Sequence, residues 1–147
     1  MKFKNYEVEP LGRTLFNLAL KGTETRMRTR FVNLLDAQLS NVIGAERQAL
    51  INQYAKKNEI GDLIRSKENQ DIIELEESTQ QEFYYELDTL MNEYFYIEEN
   101  EANKMMILSV AEMMIKGDFE VSGDVAAMYD KWYEQFERVV VDYGGEA

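Results

Sequence analysis

Histidine and cysteine are both absent from this chain of 147 residues. Without cysteine there is no disulfide and no thiolate nucleophile. Without histidine the commonest general base and the commonest metal ligand are missing. Ser–His and Cys–His mechanisms cannot be built, and a zinc site lacks its usual donors. The glycine-rich signatures G-x-x-x-x-G-K-[ST], G-x-G-x-x-G and G-x-S-x-G do not occur. No apolar run approaches the roughly 20 residues that a membrane-crossing helix needs. Met1 to Pro10 is charged and has no apolar centre, so no secretory signal is expected there. These gaps favour a cytosolic protein with no cofactor and no catalysis, and leave only a carboxylate-based enzyme chemically open.

What is present suits a packed globule. Hydrophobic residues make up 45% of the chain and aromatics 12%, enough for a core and too much for general disorder. One compact domain is expected over residues 1–143, with 144–147 as a flexible tail. Charge is unevenly placed. Residues 1–60 hold ten Lys and Arg against six Asp and Glu, net +4; residues 61–147 hold 6 against 22, net −16. The second part therefore projects a negative potential, which suits a solvated face or a basic partner and disfavours direct nucleic-acid binding.

The dominant stripe lies between Thr23 and Asn58. Met27, Phe31, Leu34, Leu35, Leu39, Val42, Ile43, Leu50, Ile51 and Tyr54 return to one face at three- and four-residue steps. The spacing predicts one helix about 50 Å long, with Gly44 marking a bend, a close contact or a break. Before it, Lys2–Glu9 reads as a short strand. Pro10 reads as a helix start, Leu11–Leu20 as a short helix, Gly22 as its stop, and Thr23 or Thr25 as the next cap. Leu63–Arg65 and Asp71–Glu76, joined by a polar turn, read as a hairpin, with a solvated loop as the alternative. Ser78 and Gln81 have capping-box spacing ahead of a helix carrying Phe83, Leu87, Leu90 and Met91. Tyr94–Ile97 favours a strand. Lys104–Lys116, apolar on several sides, predicts a central helix ended by Gly117. Val125–Val140 predicts the last helix, to which Ser122 or Asp124 supplies the cap. The fold class is α+β, predominantly α-helical, with about five helices, an N-terminal strand and a possible hairpin.

Four kinds of candidate site emerge. Asp118, Glu120, Ser122 and Asp124 match positions 1, 3, 5 and 7 of a calcium loop, but position 12 is Tyr129 where a bidentate glutamate belongs. Helix ending and capping explain the same residues. Met105, Met106, Met113 and Met114 suit either an adaptable surface or core filling. Tyr84, Tyr85, Tyr96 and Tyr133 are the aromatics to test for exposure as contact residues. Glu74, Glu76, Glu77, Glu98, Glu99 and Glu101 would form an acidic face if they cluster. Arg26, Arg28 and Arg30 form a short basic strip that suits pairing with the acidic half, within one molecule or between copies.

Lys2–Val8 (K-F-K-N-x-E-V), Arg28–Phe31 (R-x-R-F) and Ser122–Asp130 (S-G-D-V-A-A-M-Y-D) together carry a resemblance over nearly the whole chain. The sequence resembles a family of small proteins of phages and prophages of Gram-positive bacteria. The resemblance implies a viral origin, often among late, tail-side genes. It implies no reaction and brings no residue roles with it. Two functions follow as expectations. One is a non-enzymatic protein acting through protein contacts in virion or tail assembly. The other is an acidic mimic of nucleic acid that inhibits a host defence or nucleic-acid-binding protein. The expected location is the cytoplasm of the bacterial host, with possible association with virions. The expected partner is a protein, with no membrane, and a homo-oligomer is allowed.

Overall fold

The computed structural model describes residues 1–144. The chain opens with a three-residue strand β1 (Lys2–Lys4) and turns directly into helix α1 (Asn5–Phe16). The expected strand is therefore five residues too long, and the helix starts well before the only proline. The cause lies in two polar side chains at the junction. Glu7 Oε2 accepts the Lys4 N–H at 2.6 Å, and Asn5 Nδ2 donates to the Leu90 carbonyl at 2.8 Å. Those bonds fix the first turn, as a capping glutamate does. Pro10 then sits inside α1 and forgoes one helical bond, a cost of roughly 3 kcal/mol. Burial of Val8, Leu11 and Leu15 on the core side offsets it.

Gly22, with φ of 57°, lies ahead of α2 (Thr23–Gln38). Neither Thr23 nor Thr25 acts as the cap; Gly22 holds that position without a side-chain bond. A six-residue π-helical stretch, Leu39–Gly44, leads without interruption into α3 (Ala45–Tyr54). The long helix is thus continuous but ends four residues before Asn58. An added Cβ on Gly44 would lie 3.0 Å from the Leu39 carbonyl oxygen. The wide turn brings that carbonyl in, and glycine admits it. Gly→Ala in a helix ordinarily gains about 1 kcal/mol. Gly44→Ala is expected to gain none of it. Gly12→Ala in α1, whose Cβ would meet only Leu35 Cδ1 at 3.7 Å, is expected to raise the melting temperature. Thermal denaturation of the two variants side by side checks the contrast.

After α3 the backbone extends. Ala55 pairs with Leu75, Lys57 with Leu63 and Arg65 with Ile73, all antiparallel. The expected hairpin is therefore present as isolated bridges, and residues 55–57 join it as a third segment. A 3₁₀ turn (Glu77–Thr79) precedes α4 (Gln80–Asn92), and Ser78 makes no capping bond there. Strand β2 (Tyr94–Tyr96) pairs antiparallel with β1. Helices α5 (Lys104–Lys116) and α6 (Gly123–Gly144) complete the chain. Gly144 closes α6, so it is not tail; the remaining expected tail, 145–147, lies outside the described residues.

Among the described residues five helical rods result, counting α2 through α3 as one. Helix α5 packs on both α2 and α6, as its broad apolar surface implied. Met106, Met113 and Met114 are core, while Met105 faces solvent. Phe3, Phe31 and Phe136 meet with ring centroids 6.3–6.4 Å apart, tying β1, α2 and α6 together. Trp132 is fully buried and its Nε1 donates to Glu7 Oε1 at 3.1 Å. Tyr54, Ala55 and Phe83 form a small separate apolar contact between α3 and α4, with Tyr54 and Phe83 edge to face at 6.1 Å. Among the described residues no helix is long and apolar enough to cross a membrane.

Candidate functional site

The two-stranded sheet has a defined register: Lys2 opposite Tyr96, Phe3 opposite Phe95, Lys4 opposite Tyr94. Met1 and Ile97 exchange both main-chain bonds. Bonded pairs recur every second residue in an antiparallel ladder, so Phe3–Phe95 is bonded and the Lys–Tyr pairs point outward. On the β1 side those outward groups are covered. Gln135 of α6 accepts the Lys2 N–H at 3.0 Å and donates to the Lys2 carbonyl at 2.7 Å, while Glu7 takes the Lys4 N–H. On the β2 side no described residue bonds the outward N–H and C=O groups of Tyr94 and Tyr96. The sheet is closed by α6 on one edge and open on the other.

Side-chain alternation sends Phe95 inward with Phe3 and places Tyr94 and Tyr96 together on the outer face. Their rings lie 6.2 Å apart and their residues are 44% and 65% exposed. Lys2 Nζ stands 4.5 Å and Lys4 Nζ 5.7 Å from the Tyr94 ring centre. No carboxylate among the described residues pairs with either lysine. A shallow groove of about 220 Å³ continues from them toward Lys131 and Glu134 of α6. Lys4 Nζ also donates to Asn92 Oδ1 at 3.4 Å. Asn92, Asp88 and Tyr85 share one face of α4 by their spacing, so the exposed face of the sheet runs on along that helix. Tyr85 is 70% exposed and Tyr84 54%.

Of the aromatics selected from sequence, Tyr84, Tyr85 and Tyr96 are exposed. Tyr133 is not; it is half-buried beside Tyr129, which packs edge to face on Phe119 at 5.3 Å. The basic strip is not a strip. Arg26 and Arg30 are exposed and make no ion pair with a described residue. Arg28 Nη1 turns inward to the carbonyls of Leu15, Phe16 and Leu18, the last at 2.7 Å. It closes the C-terminal end of α1, where a cation is favoured.

Among the described residues no three acidic side chains are grouped closely enough to hold a metal ion, those of Asp118, Glu120 and Asp124 of the candidate calcium loop with Ser122 included. Glu74, Glu76 and Glu77 precede α4, while Glu98, Glu99 and Glu101 follow β2. Glu99 is already engaged. It receives Arg138 Nη1 at 3.0 Å and Nη2 at 2.9 Å, the Met1 amino group at 2.6 Å and the Tyr143 hydroxyl at 3.3 Å.

Hydrogen bonds from Arg138 hold the Glu99 carboxyl down from 4.5 to about 2, with burial opposing and the Met1 amino group assisting. A carboxyl depressed in the folded state stabilises it above the unfolded value and loses that effect on protonation. The contribution is therefore complete above 4.5 and lost as pH falls toward 2. Glu99→Gln is expected to cost roughly 1 kcal/mol at neutral pH, a modest figure because Arg138 is half exposed. The difference from the parent protein closes across that acid range. Urea denaturation at a series of pH values reads it.

A larger cleft of about 520 Å³ lies between the α1–α2 turn and the end of α5, lined by Leu18, Glu24, Glu112, Lys116 and Phe119 among others. Of the sequence-selected residues it holds Met113 and Asp118. The residues that sequence reasoning missed are Lys2, Lys4 and Tyr94. The paired spellings K-F-K and Y-F-Y were the available signal, because alternation puts both lysines and both tyrosines on one face.

Compared with known proteins, the chain matches no family model, no curated protein and no solved structure.

Proposed function

We propose that this chain is a non-enzymatic phage or prophage protein that works through protein–protein contact, in virion or tail assembly, in the cytoplasm of the bacterial host. The observation that carries the contact reading is a pair of exposed tyrosines, Tyr94 and Tyr96, on an unpaired strand edge, with Tyr84 and Tyr85 also exposed on α4. Tyrosine offers a large amphipathic contact area at low entropic cost and is enriched at binding hot spots. An open edge is a feature that proteins usually blunt, and β1 of this same sheet is blunted by Gln135. The resemblance of Lys2–Val8, Arg28–Phe31 and Ser122–Asp130 to phage proteins supports the viral source. Mimicry of nucleic acid draws less support, because Glu99 is engaged by Arg138, the Met1 amino group and Tyr143.

Affinity capture of the tagged protein from uninfected and phage-infected bacterial cells tests this reading. Virion proteins are expected only after infection, and Tyr84→Ser with Tyr85→Ser is expected to lower their recovery about tenfold. Recovery of a host nuclease or defence protein without infection, in a complex dissolved by salt, would establish mimicry instead.

A further inference from the structure

We infer that the open edge of β2 receives an extended, acidic segment of a partner protein as a third strand of the sheet. This rests on the protein-contact reading and adds to it the mode of binding and the chemistry of the partner. The mode comes from the main chain. Tyr94 and Tyr96 each present an N–H and a C=O on the outer edge, spaced by the two-residue repeat of about 6.6 Å that an extended strand matches. The flanking groups on Phe95 already serve β1. The chemistry comes from charge. The molecule carries −12 overall, yet Lys2 and Lys4 stand over the Tyr94 ring with no carboxylate partner among the described residues.

A carboxylate on a strand laid beside Tyr94 comes within reach of the two ammonium groups. Glu93 and Glu98, exposed on either side of β2, repel acids at the ends, so the favoured acids lie in the middle of the segment. A second copy of this chain fits less well. It brings the same net charge and the same lysines, and a three-residue edge is short for the roughly 800 Å² per partner that stable pairs bury.

The test uses a capped heptapeptide, Thr-Val-Glu-Val-Glu-Val-Thr, and its counterpart with lysine in place of glutamate. Binding is followed through the backbone amide signals of the intact protein. Tyr96→Pro removes an N–H that β1 does not use, so the existing ladder survives while the edge is blocked. Tyr96→Thr removes the ring and keeps the edge. The glutamate peptide is expected to bind about tenfold more tightly than the lysine peptide, to shift Tyr94 and Tyr96, and to lose about tenfold in affinity in Tyr96→Pro but little in Tyr96→Thr. Equal affinity for the two peptides, no response at β2 at millimolar peptide, unaltered binding by Tyr96→Pro, or a dimer formed through β2 would each overturn the inference. The capture experiment separates the two levels of the account. If Tyr96→Pro still captures the virion partner, the strand-addition mode fails and the protein-contact reading stands. If the parent protein captures nothing, the reading itself falls.

Discussion

Trp132→Ala is expected to lower the free energy of unfolding by about 3–5 kcal/mol, a large share of the roughly 5–15 kcal/mol that a domain possesses. Trp132 is fully buried on α6 between the elements that build the core. Its removal opens a cavity that close-packed neighbours cannot refill. It also removes the Nε1–H that bonds Glu7 at 3.1 Å. Glu7 is itself buried and holds the first turn of α1 through the Lys4 N–H. A buried carboxylate deprived of a donor adds its desolvation cost to the cavity. Trp132→Phe keeps most of the volume and loses the bond, so about half the effect is expected. This is the only tryptophan in the chain, so unfolding of both variants is read by far-ultraviolet circular dichroism in urea.

Asn5→Asp is expected to cost about 2–4 kcal/mol at neutral pH although it alters no volume. Asn5 is 2% exposed. Its Nδ2 donates to the Leu90 carbonyl at 2.8 Å, and its Oδ1 accepts from Gln38 Nε2 at 2.9 Å. One side chain thus joins the start of α1 to the end of α4 and the end of α2. Aspartate replaces the donor with an oxygen that faces a carbonyl, and adds a buried charge with one partner. Protonation restores a donor, so the deficit is expected to shrink as pH falls through the carboxylate range. A deficit independent of pH would show that the loss of Asn5 acts through packing and not through the Leu90 bond.

The helices were legible because packing and pattern agree. Lys104–Lys116 has the bounds its apolar run implied, with Gly117 immediately after it. Asn5–Pro10 was misread because Pro10 is a strong local signal and Asn5 and Glu7 are weak ones. Their partners, Leu90 and Trp132, lie 85 and 125 positions away, and no local rule weighs such contacts. The π-helical stretch was legible only as an uneasy glycine at Gly44. Arg28 and Glu99 were read as surface charge because charge alone does not tell a solvated side chain from one that closes a helix end or an ion cluster. The exposed face was half legible. Tyr84, Tyr85 and Tyr96 were selected by residue type, whereas the open edge belongs to main-chain groups that every residue carries. Only the pairing of β2 with β1, and the covering of β1 by Gln135, decides which edge stays free.

Residue-resolved amide hydrogen exchange of the isolated protein tests the central claim most directly. An open edge predicts that the Tyr94 and Tyr96 amides exchange at nearly the rate of an unfolded chain, while Phe95 between them, bonded to Phe3, is protected about a hundredfold or more. Equal protection of all three amides would contradict it, and would mean that the edge of β2 is already filled.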